Sequence, residues 1–182
     1  ALGAAAAGVL TLSPAPPGAE PVDAATVRLA REAMARPWPL VREGEALART
    51  ELVTAMLDVS DGLAADLAHL CKASGVGAVV DAGMVPIHPA AAEIARAYRR
   101  DPLELALTGG EDYQLLFTAR RENVASLRET LAACGCACVV IGEVREAGAG
   151  LTLRAGDGAL RPLEPTGWDH LRQRPAERTE GV

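Results

Sequence analysis

From Val53 onward the chain alternates short strand-like runs with amphipathic, helix-spaced runs. That alternation restricts the fold more than any other feature, because it calls for a sheet covered by helices. Residues 53–58 read as a strand. Ser60 or Asp61 can start a helix that aligns Leu63, Leu67, Leu70 and Cys71 on one face and closes at Gly75. Residues 76–81 read as the next strand. His88 and Pro89 open a helix carrying Ile94, Ala97 and Tyr98. Residues 113–118 are a strand, and residues 121–134 a helix with Val124, Leu127 and Leu131 aligned. The nearly all-apolar run 136–144 reads as a strand covered on both faces. "LTLRAGDGALRPL" reads as a hairpin turning at Asp157-Gly158.

The first fifty residues differ. Residues 1–12 suit a helix packed closely through Gly3 and Gly8. "SPAPPGAEP" breaks regular structure, and Asp23 can cap a second helix with Val27, Ala30 and Met34 on one face. Pro37 and Pro39 end it, and a short helical turn runs through "EGEALAR". The opening "ALGAAAAGVLTL" has no basic flank and is too short to span a bilayer, as is every later apolar run. The expectation is therefore a cytoplasmic protein, or a piece of one. With 182 residues, the chain can bury one good-sized core. A formal charge of −6 argues against a nucleic-acid partner, which would be held by clustered Lys and Arg. Lys72 is the sole lysine, and a solvated helix face accounts for it. Cys134, Cys136 and Cys138, spaced C-x-C-x-C, lack the paired C-x-x-C spacing of zinc sites and read, with Cys71, as reduced thiols.

Three motifs could carry chemistry. "LDVSDGL", residues 57–63, places Asp58 and Asp61 around Ser60 at the end of a strand. It reads as a strand-to-helix turn capped by Ser60, with Asp61 favoured by the helix dipole. A Mg²⁺ site is the alternative that spacing favours less; Mg²⁺ takes carboxylates together with phosphate oxygens and water. Only the second reading explains Asp58, whose charge would be costly near a core. "LTGGEDYQLLF", residues 107–117, has two glycines that allow close backbone approach, then Glu111 and Asp112. A loop with two solvated carboxylates and a core Tyr113 is the simpler reading. In "PTGWDHL", residues 165–171, Trp168 can stack on a flat ligand or plug the core edge. His170 beside Asp169 has no Ser or Cys nucleophile motif to serve.

Taken together, D-V-S-D-G-L, then Gly-Gly-Glu-Asp-Tyr about fifty residues on, then Gly-Trp-Asp-His, resemble thiamine-monophosphate kinase in order and spacing. The opening "LG…AGVL" and "VPIHP" resemble that family as well. Gln114 and Leu171 depart from its common Glu and Phe. The resemblance implies the C-terminal domain of the aminoimidazole ribonucleotide synthetase-like superfamily. That domain is α+β: a three-layer α/β/α arrangement with a mixed sheet, partly ferredoxin-like. Residues 1–182 are then one domain of a longer two-domain protein: a helical lead-in over 1–50, a core over 51–172 and a frayed tail over 173–182. The absent N-terminal domain would build a homodimer and complete the ATP site. The implied reaction is ATP- and Mg²⁺-dependent phosphorylation of thiamine phosphate to thiamine diphosphate. By resemblance Asp58 and Asp61 are Mg²⁺ ligands, Ser60 contacts ATP, and Glu111 and Trp168 contact the substrate. No general base is expected, because a phosphate acceptor is already anionic. The rival expectations are another ATP-dependent member, such as a selenophosphate synthetase or hydrogenase-maturation protein, or a non-catalytic binding domain.

Overall fold

The computed structural model describes residues 1–165. Three helices come first: α1 (Ala4–Leu10), α2 (Ala24–Ala35) and α3 (Val41–Arg49). β1 (Val53–Val59) then leads into α4 (Leu63–Ser74), and α4 into β2 (Val76–Asp81). Helices α5 (Pro89–Ala97) and α6 (Pro102–Thr108) precede β3 (Gln114–Ala119) and α7 (Val124–Ala133). The strands β4 (Gly142–Glu146), β5 (Leu151–Arg154) and β6 (Leu160–Pro162) follow. The tail expected at 173–182 and the Gly-Trp-Asp-His motif lie outside the described residues.

The sequence pointed to one sheet; the described strands form two. β2 has both edges occupied, antiparallel to β4 and parallel to β5, and β6 extends that mixed sheet in the order β4-β2-β5-β6. No edge of β2 is left for β1, which pairs antiparallel with β3 as a separate ribbon. A two-stranded ribbon is marginal alone and needs cover. Leu57, Val59 and Leu116 pack into the central core with Leu63, Leu67 and Cys71 of α4 and Ala78 and Val80 of β2. On the opposite face, Val53, Leu115 and Phe117 pack with Leu47 of α3 and Leu127 and Leu131 of α7. A register shift between Val53 and Ala55 lets residues of the same parity, Val53 and Leu57, serve opposite cores.

Helix α1 is shorter than 1–12 because Gly3 takes a left-handed conformation (φ 85°) and Leu2 bridges to Ile87. The close packing at Gly8 is real: a Cβ there would sit 2.5 Å from the Ala30 carbonyl oxygen of α2. The hairpin at Asp157-Gly158 joins β5 and β6, with the Gly158 N–H donating to the Ala155 carbonyl. Helix α6 went unread, although Asp101 caps it and Pro102 opens it.

The run 136–144 is not a strand covered on both faces. Only Gly142–Glu146 joins the sheet, at its edge, and Val139, Val140 and Val144 are exposed. One side of the sheet carries an ion-pair group, with Arg154 on Asp81 and Glu143, and Arg145 on Glu143. Charged side chains of that kind stay with water rather than under a helix. Cys136 and Cys138 instead turn to the α3–α7 core. All four cysteines are free thiols, and burial pushes Cys71, Cys136 and Cys138 up from the usual thiol range.

Candidate active site

Strand alternation sets the position of Asp58. Leu57 and Val59 face the central core, so Asp58 between them faces outward and is exposed. The cost of burying its charge, which made a cation seem necessary, is therefore not incurred. Asp58 pairs with Leu115 of β3 near the end of the ribbon where the strand passes into Ser60, Asp61 and Gly62.

Ser60 does not cap α4. The N-cap is Gly62 (φ 116°, ψ 149°), which offers no side chain. The capping acceptor comes from within the helix. The buried Asp66 carboxylate, through Oδ2, accepts the N–H of Asp61 at 2.9 Å and of Gly62 at 3.1 Å. Burial raises the Asp66 pKa, while the backbone N–H groups of Asp61, Gly62 and Ser60 oppose that rise.

The second motif is bound to the first through backbone. The Glu111 N–H donates to the Ser60 carbonyl at 2.8 Å, and the Tyr113 N–H donates to the Val59 carbonyl at 2.8 Å. Glu111 (φ 68°) and Tyr113 (φ 48°) both adopt left-handed conformations that cost side-chain-bearing residues about 1 kcal/mol or more each. Gly110 explains how the loop comes so near: a Cβ there would lie 2.5 Å from the Ser60 carbonyl oxygen. Strain and close approach together place Glu111 beside the Asp-Val-Ser-Asp-Gly turn.

The two carboxylates of the second motif have different surroundings. Glu111 is exposed and accepts the Tyr113 hydroxyl at 3.1 Å. Asp112 is not solvated as the simpler reading held: its Oδ2 accepts the Gly3 N–H at 2.7 Å, at the start of α1. Burial, opposed chiefly by the Gly3 N–H, pushes the Asp112 pKa up to about 6. Tyr113 is likewise no core residue. Its hydroxyl pKa is raised first by the hydrogen bond to Glu111, and also by the charges of Asp58 and Asp61. One tyrosine thus senses the acidic groups of both motifs.

An open cavity of about 290 Å³ adjoins this cluster, lined by Pro39, Leu40, Val41, Asp58, Tyr113 and Leu115 among others. The sequence placed Tyr113 in the core and assigned no role to Asp66 or to this cavity. The Leu-x-x-Asp-Leu spacing after the turn was a usable signal for Asp66, since a polar residue on the buried face of α4 needs a partner.

Asp58 and Asp61 suit a divalent cation by donor chemistry. Both carboxylates are free of hydrogen bonds and ion pairs among the described residues. No cluster of three or more His, Cys, Asp or Glu side chains there could hold a metal unaided. Two hard oxygens without a third match Mg²⁺ as it is usually held, by one or two carboxylates with phosphate and water completing its shell.

Residues 19–153 match the C-terminal domain of AIR synthase related proteins. The chain belongs to that family. Over 134 residues it is 31% identical to the thiamine-monophosphate kinase of Pyrococcus horikoshii, covering 74% of this chain and 39% of that protein. Among solved structures, AaThiL complexed with AMPPCP and TMP overlays 93% of this chain and 48% of its own, with TM-score 0.70 and 30% identity. The hydrogenase maturation protein HypE of E. coli overlays 92% of this chain and 48% of its own at TM-score 0.67, but at 21% identity this shows the fold alone. The chain thus spans less than half the length of the relatives it matches. The α+β fold with a mixed sheet agrees with the expectation. Among the described residues, no helix is long and apolar enough to cross a membrane.

Proposed function

We propose that the protein containing this chain transfers the γ-phosphoryl group of ATP to thiamine phosphate, forming thiamine diphosphate. The observation that carries this reading is the backbone clasp between the two acidic motifs. The Glu111 and Tyr113 N–H groups hold the Gly-Gly-Glu-Asp-Tyr loop against Val59 and Ser60. It puts a candidate substrate contact beside a candidate metal site. The likeness to thiamine-monophosphate kinases, one of them solved with an ATP analogue and TMP, supports the substrate class.

Asp58 and Asp61 would hold Mg²⁺, and Ser60 would contact ATP. Glu111 would hold the thiamine part of the acceptor, with Trp168 as a second contact. Bound Mg²⁺ supplies positive charge that offsets crowding between the two phosphate groups. The chain's own residues do the positioning. β1 fixes Asp58 on an exposed strand end, the clasp fixes Glu111, and the Tyr113 hydroxyl orients the Glu111 carboxylate. No residue need remove a proton from the acceptor, because a phosphate oxygen is already ionised near neutral pH. Completion of the site by a further domain, a homodimeric assembly and a cytoplasmic setting belong to the same proposal.

The test is turnover by the full-length protein with ATP, Mg²⁺ and a panel of acceptors: thiamine phosphate, thiamine, selenide and carbamoylated peptide. Thiamine diphosphate formed from thiamine phosphate, with little turnover of the others, is expected. ATP consumption driven by a different acceptor would replace this reading.

A further inference from the structure

Every strand-to-helix turn must satisfy the first N–H groups of its helix. In the Asp58–Gly62 turn the usual cap fails, because Gly62 stands at the N-cap and has no side chain. Such a run of converging N–H groups would otherwise make a concave anion site. Here the concavity is filled from inside the protein. Asp66, only 5% exposed, turns Oδ2 back to accept from Asp61 and Gly62.

We propose that Asp66 is a positioning residue for the cation site: its carboxylate fixes the backbone from which the Asp61 side chain projects, and withholds the Asp61 and Gly62 N–H groups from phosphate. The inference rests on the reading of Asp58 and Asp61 as cation ligands. It has two consequences. The turn holds Asp61 in place without a bound ligand, since the Asp61 and Gly62 N–H groups are already engaged. Any phosphate at this turn is then held through the cation and side chains rather than through the Asp61 and Gly62 N–H groups. Gly62 contributes on the other side: a Cβ there would lie 2.9 Å from the Thr108 carbonyl carbon, so the turn is pressed between Asp66 and the end of α6.

The experiment uses full-length protein and Mn²⁺ as the probe, with binding followed by electron paramagnetic resonance. Asp66→Asn keeps an acceptor oxygen, so its Mn²⁺ affinity should stay within about threefold of wild type. Asp66→Ala removes the acceptor and should weaken Mn²⁺ by about tenfold or more, in the range seen when groups that orient metal ligands are lost. Asp58→Asn, a direct ligand change, should remove binding at this site. Wild-type affinity in Asp66→Ala, with binding lost in Asp58→Asn, would overturn the positioning role and leave the cation site standing. Equal weakening in Asp66→Asn and Asp66→Ala would overturn it as well, by showing that charge alone matters. Unchanged binding in Asp58→Asn would instead remove the cation reading, and this proposal with it. Should Asp66→Ala not fold, amide hydrogen exchange of the wild type decides. Slow exchange at both Asp61 and Gly62 supports the clamp, and exchange as fast as in an open loop refutes it.

Discussion

Asp112 should make the stability of this chain fall as pH rises between about 4 and 6. Its carboxyl is largely buried at the start of α1, where Oδ2 accepts the Gly3 N–H at 2.7 Å. Burial outweighs that bond, and the pKa rises from 3.8 to about 6. An acid whose pKa is higher in the folded state keeps its proton there while the unfolded chain has released it. The folded state then binds more protons across the window, so its stability declines as pH increases. Below about pH 4 both states are protonated and the contribution is complete; above about pH 6 it has gone. A shift of about two units corresponds to roughly 3 kcal/mol at most, or about 6–12 °C in melting temperature for a chain of this size. Asp112→Asn keeps an acceptor for the Gly3 N–H but cannot titrate. Urea unfolding of wild type and Asp112→Asn at matched pH values from 4 to 8 isolates the effect, because His88 and other titrating groups are common to both. Wild type should lose stability relative to the variant as pH rises through the window. A flat difference curve, or relative gain by wild type with rising pH, would refute the reasoning.

Gly110→Ala should destabilise by roughly 1–3 kcal/mol, because the new Cβ meets the backbone carbonyl oxygen of Ser60 at 2.5 Å and neither strand end can yield cheaply. Thermal unfolding measures it, and an unchanged melting temperature would show that the clasp is loose. Leu127→Ala, which empties a fully buried position between α7 and the ribbon, should cost about 2–5 kcal/mol in a denaturant titration. For Trp168, which lies outside the described residues, stacking on the acceptor predicts that Trp168→Ala weakens thiamine phosphate more than ATP by roughly 1 kcal/mol, while Trp168→Tyr is tolerated. Equal losses for both ligands in binding titrations would mark it as a core plug.

What could be read from the sequence was what depends on local period and punctuation. The aligned Leu63, Leu67 and Leu70 announced α4, and Gly75 ends it as expected, in a left-handed conformation. His88 and Pro89 open α5, with the imidazole Nδ1 accepting the Ala90 N–H. The backbone bonds of Glu111 to Ser60 and of Tyr113 to Val59 set the second acidic motif against the first. The rest depended on long-range partners that no period encodes. Whether β1 joins β2 is settled by which strands take the edges of β2, and those come from beyond residue 140. The apolar run 136–144 looked buried because composition does not reveal an edge. Tyr113 reads as core because it is aromatic, but it sits in a left-handed position just before β3, with its hydroxyl on Glu111. Ser60 read as a cap because local rules favour it, and Asp66 displaced it from a turn farther along the helix.

The proposed cation site and an ordinary exposed strand residue diverge most at Asp58. Asp58→Asn preserves size and hydrogen-bonding capacity and removes the charge. The direct measurement is the Mg²⁺-dependent rate of thiamine diphosphate formation by full-length wild type and Asp58→Asn, with melting temperature taken on the same preparations. A cation held by Asp58 predicts a rate lower by about a hundredfold or more, with a melting temperature close to that of wild type because Asp58 is exposed. A near-wild-type rate at limiting Mg²⁺ would contradict it.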